Sequence, residues 1–189
     1  GGYPPSVAEI QSYEVLLNGG GGNPAMNGES VHHDSSGNSQ CLWNNTKFVK
    51  AGDIVEWTVE AETSNADHPF HLHGFSFQPI KLELNNGTGY QTLYEWNETN
   101  AEYLDVFFLP SFHRLTFRFI VDDRSFVNSE LKVQPNGVYG RWLDHCHISK
   151  HAHRGMMQEF VVLNDNLQVD DRVEIPQFIV LPFWPTDFG

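Results

Sequence analysis

The chain has 189 residues, a net charge of −13, and a composition 40% apolar and 13% aromatic. That length suits one substantial domain and is short for two, and the apolar content fills a core, which excludes a disordered tail. Neutralising phosphate takes clustered Lys and Arg, so the acidic balance excludes nucleic acid as a partner, and with no run of about 18 apolar residues nothing spans a membrane.

Taken in order, residues 1–40 read as a linker and N-terminal extension. The opening GGYPPSVAEI has neither a charged start nor an apolar run, as expected of a mature terminus or an internal cut. Within it, residues 12–17 suit a strand, and 18–40 form a Gly/Asn/Ser loop. Residues 41–165 read as the main domain. Residues 53–61 alternate, with Val55, Trp57, Val59 and Ala61 on one face, which predicts a half-buried strand. A second strand is expected over 75–84, where Pro79 marks an edge or a bulge. Residues 85–102 are polar and read as a surface loop. Alternation returns over 114–121, with Leu115, Phe117, Phe119 and Val121 inward. Residues 125–140 read as a connecting insertion. Two more strands are expected at 140–147 and 157–163, joined by a turn or short helix. The apolar, Pro-broken tail, 166–189, is expected to pack on the domain or on a partner. Many short strands with turn signals predict an all-β sandwich or barrel.

Two cysteines, Cys41 and Cys146, make no disulfide scaffold, and Cys41 is either free or bridged to another chain. Three N-x-Ser/Thr sequons, at Asn44, Asn86 and Asn97, favour a secreted or extracytoplasmic, N-glycosylated protein.

The densest chemistry lies in 141-RWLDHCHISKHAHRGMM-157. On a strand, side chains alternate, so Cys146 points one way and His145 and His147 the other. One strand then serves two metal sites on opposite sides, joined by a single residue of backbone. His151 and Met156 follow in a turn able to fold back toward Cys146. Thiolate, imidazole and thioether are the ligands of a blue copper site. The missing imidazole comes from 67-DHPFHLHGF-75. His71 and His73 share a face of an extended segment, while His68 is expected in a loop beside Pro69, turned elsewhere. The economical assignment gives His68 to Cys146 and sends His71 and His73 to His145 and His147. Zinc accepts His and Cys too, but gains nothing from a back-to-back strand and rarely needs so many such ligands plus a Met. His32, His33, His113 and His153 fit no such pattern and read as ordinary histidines.

HPFHLHG followed by HCHISKHAHRGM resembles the C-terminal copper signatures of the multicopper oxidases, over roughly residues 41–163. The resemblance implies the last cupredoxin domain of such an enzyme, a Greek-key β-sandwich. It implies a type 1 copper on His68, Cys146 and His151 with Met156 axial. His71 would ligate a type 2 copper, and His73, His145 and His147 a type 3 pair. Cys146, His145 and His147 become the catalytic path. Met156 stands where fungal laccases carry Leu or Phe, and is more like bacterial, ascorbate-oxidase and metallo-oxidase sequences. It tends to lower the copper potential, favouring phenols, anilines or metal ions as reducing substrates. In nitrite reductases the cysteine is not followed by His in an HCH triplet, which disfavours that branch.

The family's trinuclear cluster takes half of its imidazoles from two H-x-H motifs of the first domain, and neither motif is present here. The chain is therefore expected to be a subunit, a processed piece or a domain of a longer protein, active only with a partner chain or domain supplying those histidines. The 73–145 segment is longer than usual for the family, and its insertions are expected to shape a substrate or partner surface. The alternative is a non-enzymatic blue copper module for electron transfer or copper storage. It needs only His68, Cys146, His151 and Met156, and leaves four imidazoles idle. A structural module with degenerate sites fits worse still.

Overall fold

The computed structural model describes residues 10–18, 24–28, 46–62, 66–97, 99–128, 130–164 and 166. Cys41, Asn44, His32, His33 and the tail beyond 166 lie outside the described residues.

Two sheets pack face to face. The first is built from β1 (Ile10–Asn18), β2 (Ala25–Met26), β4 (Ile54–Ala61), β6 (Gln78–Asn85), β7 (Tyr90–Glu95) and β9 (His113–Ile120), in the order β2-β1-β4-β9-β6-β7. The second holds β3 (Lys47–Lys50), β5 (His68–Leu72), β8 (Val106–Leu109), β12 (Gly140–Cys146) and β13 (Met157–Leu163), in the order β3-β13-β12-β5-β8. A two-stranded ribbon pairs β10 (Phe126–Val127) with β11 (Val133–Gln134), and one short helix, α1 (Ser149–His153), joins β12 to β13. Chain-adjacent strands β4 and β5 lie in different sheets, as do β8 and β9. This is the cupredoxin-like Greek-key β-sandwich expected.

Alternation drives the two central strands. Val55, Trp57, Val59 and Ala61 of β4 are fully buried, and across the antiparallel ladder Leu115, Phe117 and Phe119 of β9 bury the same face. Trp57 is the hub, with the rings of Phe119, Phe160 and Phe117 at 5.3, 5.5 and 6.0 Å, all edge-on. That arrangement sets the positive ring edges against negative faces.

Five expectations need correction. His68 is not in a loop: it opens β5, fully buried, paired with Leu109 of β8. The surface loop at 85–102 contains β7, and the insertion at 125–140 contains the β10–β11 ribbon. The expected strand at 75–84 starts at Gln78 and lies between β9 and β7 rather than at an edge, with the pairing shifted by one residue between Pro79 and Lys81. The bulge reading of Pro79 therefore holds and the edge reading does not. β1 and β2, within the segment read as linker and extension, belong to the first sheet, β1 pairing in parallel with β4.

Candidate metal centre

Strand β12 carries both groups of donors. Cys146 is fully buried between the sheets, while His145 lies on the outer side. Strand β5 alternates in the same way, with His68, Phe70 and Leu72 inward and His71 outward. The two strands are antiparallel neighbours, Cys146 opposite Phe70 and His145 opposite His71. Backbone bonds from His73 N to Leu143 O (2.9 Å) and from His147 N to Pro69 O (2.7 Å) extend the pairing past both strand ends.

On the inner side, Cys146 Sγ lies 3.5 Å from His68 Nδ1 and 3.6 Å from His151 Nδ1. His151 arrives on α1, which begins two residues after His147 and turns the chain back. Gly155, at φ 96°, reverses it again into β13. Met156 is fully buried, its N–H donating to His151 O (3.0 Å) and its carbonyl accepting from Cys146 N (3.2 Å). Burial pushes the Cys146 thiol up to about 11, against a backbone hydrogen bond at Ile148. Burial, then the neighbouring His151, pushes His68 down to about 4, with Asp67 opposing. His151 is lowered by burial and by Lys150 and Arg154. The imidazoles are thus held neutral, with lone pairs free to ligate.

On the outer side, His71, His73 and His145 bring one ligand atom each within 4.8 Å of one another. The His147 ring stands 5.5 Å from that of His71 and stacks 5.7 Å from that of His145. His71 Nδ1 donates to Asp105 O (2.8 Å) and His145 Nδ1 to Cys146 O (2.9 Å), so both present Nε2 to the group. His73 Nε2 meets His145 Nε2 at 2.9 Å. Burial, then His145, His71 and His147, lowers His73 to about 4. Burial also lowers His145.

The donors fit copper. Two ligands about 2.0–2.3 Å from a metal and 120° apart lie about 3.7 Å from each other, close to both sulfur–nitrogen separations. A thiolate, two imidazoles and a buried thioether are a soft set suited to copper. Imidazole alone, as on the outer side, suits it as well.

The sequence model of the multicopper oxidases matches residues 20–166. The chain belongs to the multicopper oxidase family. Copper is the family's cofactor. The chain is 33% identical over 108 residues to Laccase-1 of Botryotinia fuckeliana, covering 56% of this chain and 16% of that protein. It is 27% identical over 136 residues to the iron transport multicopper oxidase FET3 of Gibberella zeae, covering 71% and 19% respectively. Among solved structures, a laccase from Pediococcus acidilactici superposes with a TM-score of 0.60 at 16% identity, over 85% of this chain and 28% of that one. The McoA multicopper oxidase of Aquifex aeolicus superposes with 0.59 at 20%, over 86% and 31%. At those identities the superpositions speak for the fold. The chain spans less than a third of the length of each of these four relatives.

His68, Cys146 and His151 gather on the inner side and His71, His73 and His145 on the outer, with the His147 ring beside the outer group; Met156 is buried and bonded to Cys146 and His151 through its backbone. His113 instead bonds Ser111 O (2.9 Å), and His153 ends α1, both apart from the two groups. Sequence reasoning missed Asp144. It is fully buried beside His145, and burial raises its carboxyl well above the usual range, against Gln158 and Lys47. Gln158 Nε2 donates to its Oδ1 (3.0 Å), Asn27 Nδ2 donates to Gln158 Oε1 (3.2 Å), and Asp144 Oδ2 has no partner among the described residues. The signal was present: position 144 shares the inward face of β12 with Cys146. Arg124 was missed too. It lies over the Phe75 ring and donates to the carbonyl of Gly74, the residue after His73.

Proposed function

We propose that this chain is the C-terminal copper-binding part of a multicopper oxidase that oxidises a phenol-like or metal-ion substrate and reduces dioxygen to water. The observation that carries the reading is the division of donors across β12: one thiolate and two imidazoles inside, three gathered imidazoles outside with the His147 ring beside them, one residue of backbone apart. Copper supplies one-electron redox chemistry when bound. His68 Nδ1, Cys146 Sγ and His151 Nδ1 would hold the type 1 copper, with the buried Met156 supplying a thioether. The fully buried Cys146 and His68 keep that site dry, while the half-exposed His151 is its edge toward solvent and substrate. His71 belongs to the type 2 site and His73, His145 and His147 to the type 3 pair. Asp105 O and Cys146 O fix the His71 and His145 rings through their Nδ1 hydrogens, as outer partners orient ligating imidazoles elsewhere. The Cys146 backbone joins the two groups covalently, so that with copper bound His145 and His147 would carry electrons from the inner site to the outer one.

The outer group is half a cluster. The remaining imidazoles come from a partner chain or domain with the two first-domain H-x-H motifs. A copper shuttle without enzymatic activity has no use for the outer four. The sequons at Asn44, Asn86 and Asn97 support a secreted or extracytoplasmic, N-glycosylated protein; among the described residues no helix is long and apolar enough to cross a membrane.

The test is copper content beside dioxygen uptake with a phenolic donor, for this chain alone and for the chain joined to the missing histidine motifs. The expected result is at most the type 1 copper and no uptake for the chain alone, with full copper content and turnover restored together on joining. Full copper content and dioxygen uptake by the chain alone would sink the reading.

A further inference from the structure

Strand β7 ends the first sheet among the described residues, and all six of its residues are exposed. No described strand pairs with its other side, so backbone N–H and C=O groups there lack a ladder partner among the described residues, and it carries Tyr90, Leu93 and Tyr94 at 39%, 46% and 47% exposure. An exposed edge with apolar side chains is a template for strand addition by another chain. One blunting device is present: the pairing with β6 shifts between Leu82 and Glu83, leaving Leu93 as the extra residue of a bulge. That bulge interrupts the edge but leaves Tyr90–Thr92 regular.

A sequon stands at each end of this strand. Asn86 lies in the hairpin turn before it, and its Oδ1 accepts from Thr88 N (3.0 Å) and Thr88 Oγ1 (2.8 Å). Asn97 lies two residues after it, and its Oδ1 accepts from Thr99 N (2.9 Å) and Thr99 Oγ1 (2.6 Å). The two turns are the same Asx turn, each closed by the sequon's own threonine. In both, the side-chain oxygen is engaged, the residue is exposed, and no hydrogen bond from the side-chain nitrogen to a described residue occupies it. The second turn is tied to the strand, since Asn97 N donates to Asn100 Oδ1 (2.7 Å) and Asn100 Nδ2 to the Tyr94 hydroxyl (3.0 Å). A group attached at Asn97 therefore leaves from beside Tyr94.

We propose that Asn86 and Asn97 both carry N-linked glycans, which cap the two ends of β7 and close the free edge of the first sheet to other chains. This rests on the extracytoplasmic reading above. The linkage joins the asparagine Nδ2 to the anomeric carbon of an oligosaccharide carried on a lipid pyrophosphate. The bond from that carbon to the pyrophosphate oxygen breaks, the lipid pyrophosphate leaves, and the amide loses one proton. A six-residue strand is roughly 20 Å long, short enough for two branched glycans rooted at its ends to overhang it from both sides.

The experiment is site-resolved glycopeptide mass spectrometry of the protein secreted by a eukaryotic host, followed by sedimentation before and after enzymatic release of glycans from the folded protein. The expected result is glycan at both sites, with Thr88→Ala emptying Asn86 alone and Thr99→Ala emptying Asn97 alone. Release is expected to raise self-association several-fold, and Leu93→Lys in the released protein to reverse it. Bare Asn86 and Asn97 beside an occupied Asn44 would overturn this proposal and leave the extracytoplasmic reading standing; a secreted protein bare at all three would overturn both. Occupied sites with sedimentation unchanged on release would overturn the edge-capping.

Discussion

His73 and His145 meet ring nitrogen to ring nitrogen, 2.9 Å apart, across the gap between the end of β5 and strand β12. With His145 Nδ1 donating to Cys146 O, one hydrogen remains between the two Nε2 atoms, supplied by His73. A second hydrogen there would make one ring cationic and set two N–H groups against each other; burial first, and then the neighbouring histidines, lower both rings, His73 to about 4. The pair faces the outer group with neutral imidazoles, the protonation state that metal binding requires.

The metal-free fold is therefore expected to be acid-sensitive in a defined window. His68 and His73 titrate near 4 in the folded chain and near 6.5 when unfolded. Between those values the unfolded chain binds more protons, so lowering the pH favours unfolding. Stability from these groups is fully present above about pH 7 and lost as pH falls toward 4. Thermal scans of metal-free protein across that range check it. Replacing both histidines by Gln flattens the dependence.

Copper is expected to raise the melting temperature of the metal-free protein. A ligand that binds only the folded state at a free concentration 1,000-fold above its Kd contributes about 4 kcal/mol. His68→Ala and Cys146→Ser should each remove most of the gain, and a chelator should reverse it. Calorimetry with and without copper reads the difference.

Gly74→Ala is expected to be among the costlier single changes near the site. Gly74 sits at φ 78°, and an added Cβ would overlap the Trp142 ring. Trp142 is held by its indole N–H on Val138 O (2.8 Å), and Arg124 grips the Gly74 carbonyl from elsewhere. Neither side can give, so the strain and overpacking cost on the order of 2–4 kcal/mol. Chemical denaturation measures it, and metal content should fall with it because His73 is the adjoining residue.

Trp57→Ala tests the core separately from the metal. The indole is fully buried among Phe70, Phe117, Phe119 and Phe160. Its removal is expected to cost about 3–5 kcal/mol, seen by urea unfolding.

The legible parts of the chain were those with one dry face. β4 and β9 alternate because one side of each is core and the other is polar, and the same rule put Cys146 opposite His145 and His147. β7 escaped notice because an edge strand with every residue exposed has no burial period to display. The ribbon strands β10 and β11 are two residues each, too short for any period. From sequence His68 reads as a loop residue, because Pro69 cannot donate to a ladder. In the fold His68 pairs with Leu109 and Pro69 with Phe108, on a strand flanked by both β12 and β8. The ligand groups were legible because the strand period alone separates them. The Asp144–Gln158–Asn27 chain was not, because it joins β12 to the turn after β2, more than a hundred residues earlier.

The two-sided use of β12 is tested most directly by the visible absorption of the copper-loaded complete assembly, comparing Cys146→Ser with His147→Ala. A copper thiolate gives an intense band toward the red that a hydroxyl cannot replace. The expected result is a blue wild type, a colourless Cys146→Ser, and a His147→Ala protein that stays blue while losing dioxygen uptake. A Cys146→Ser protein that kept the band, or a His147→Ala protein that lost the band and still consumed dioxygen, would contradict the account.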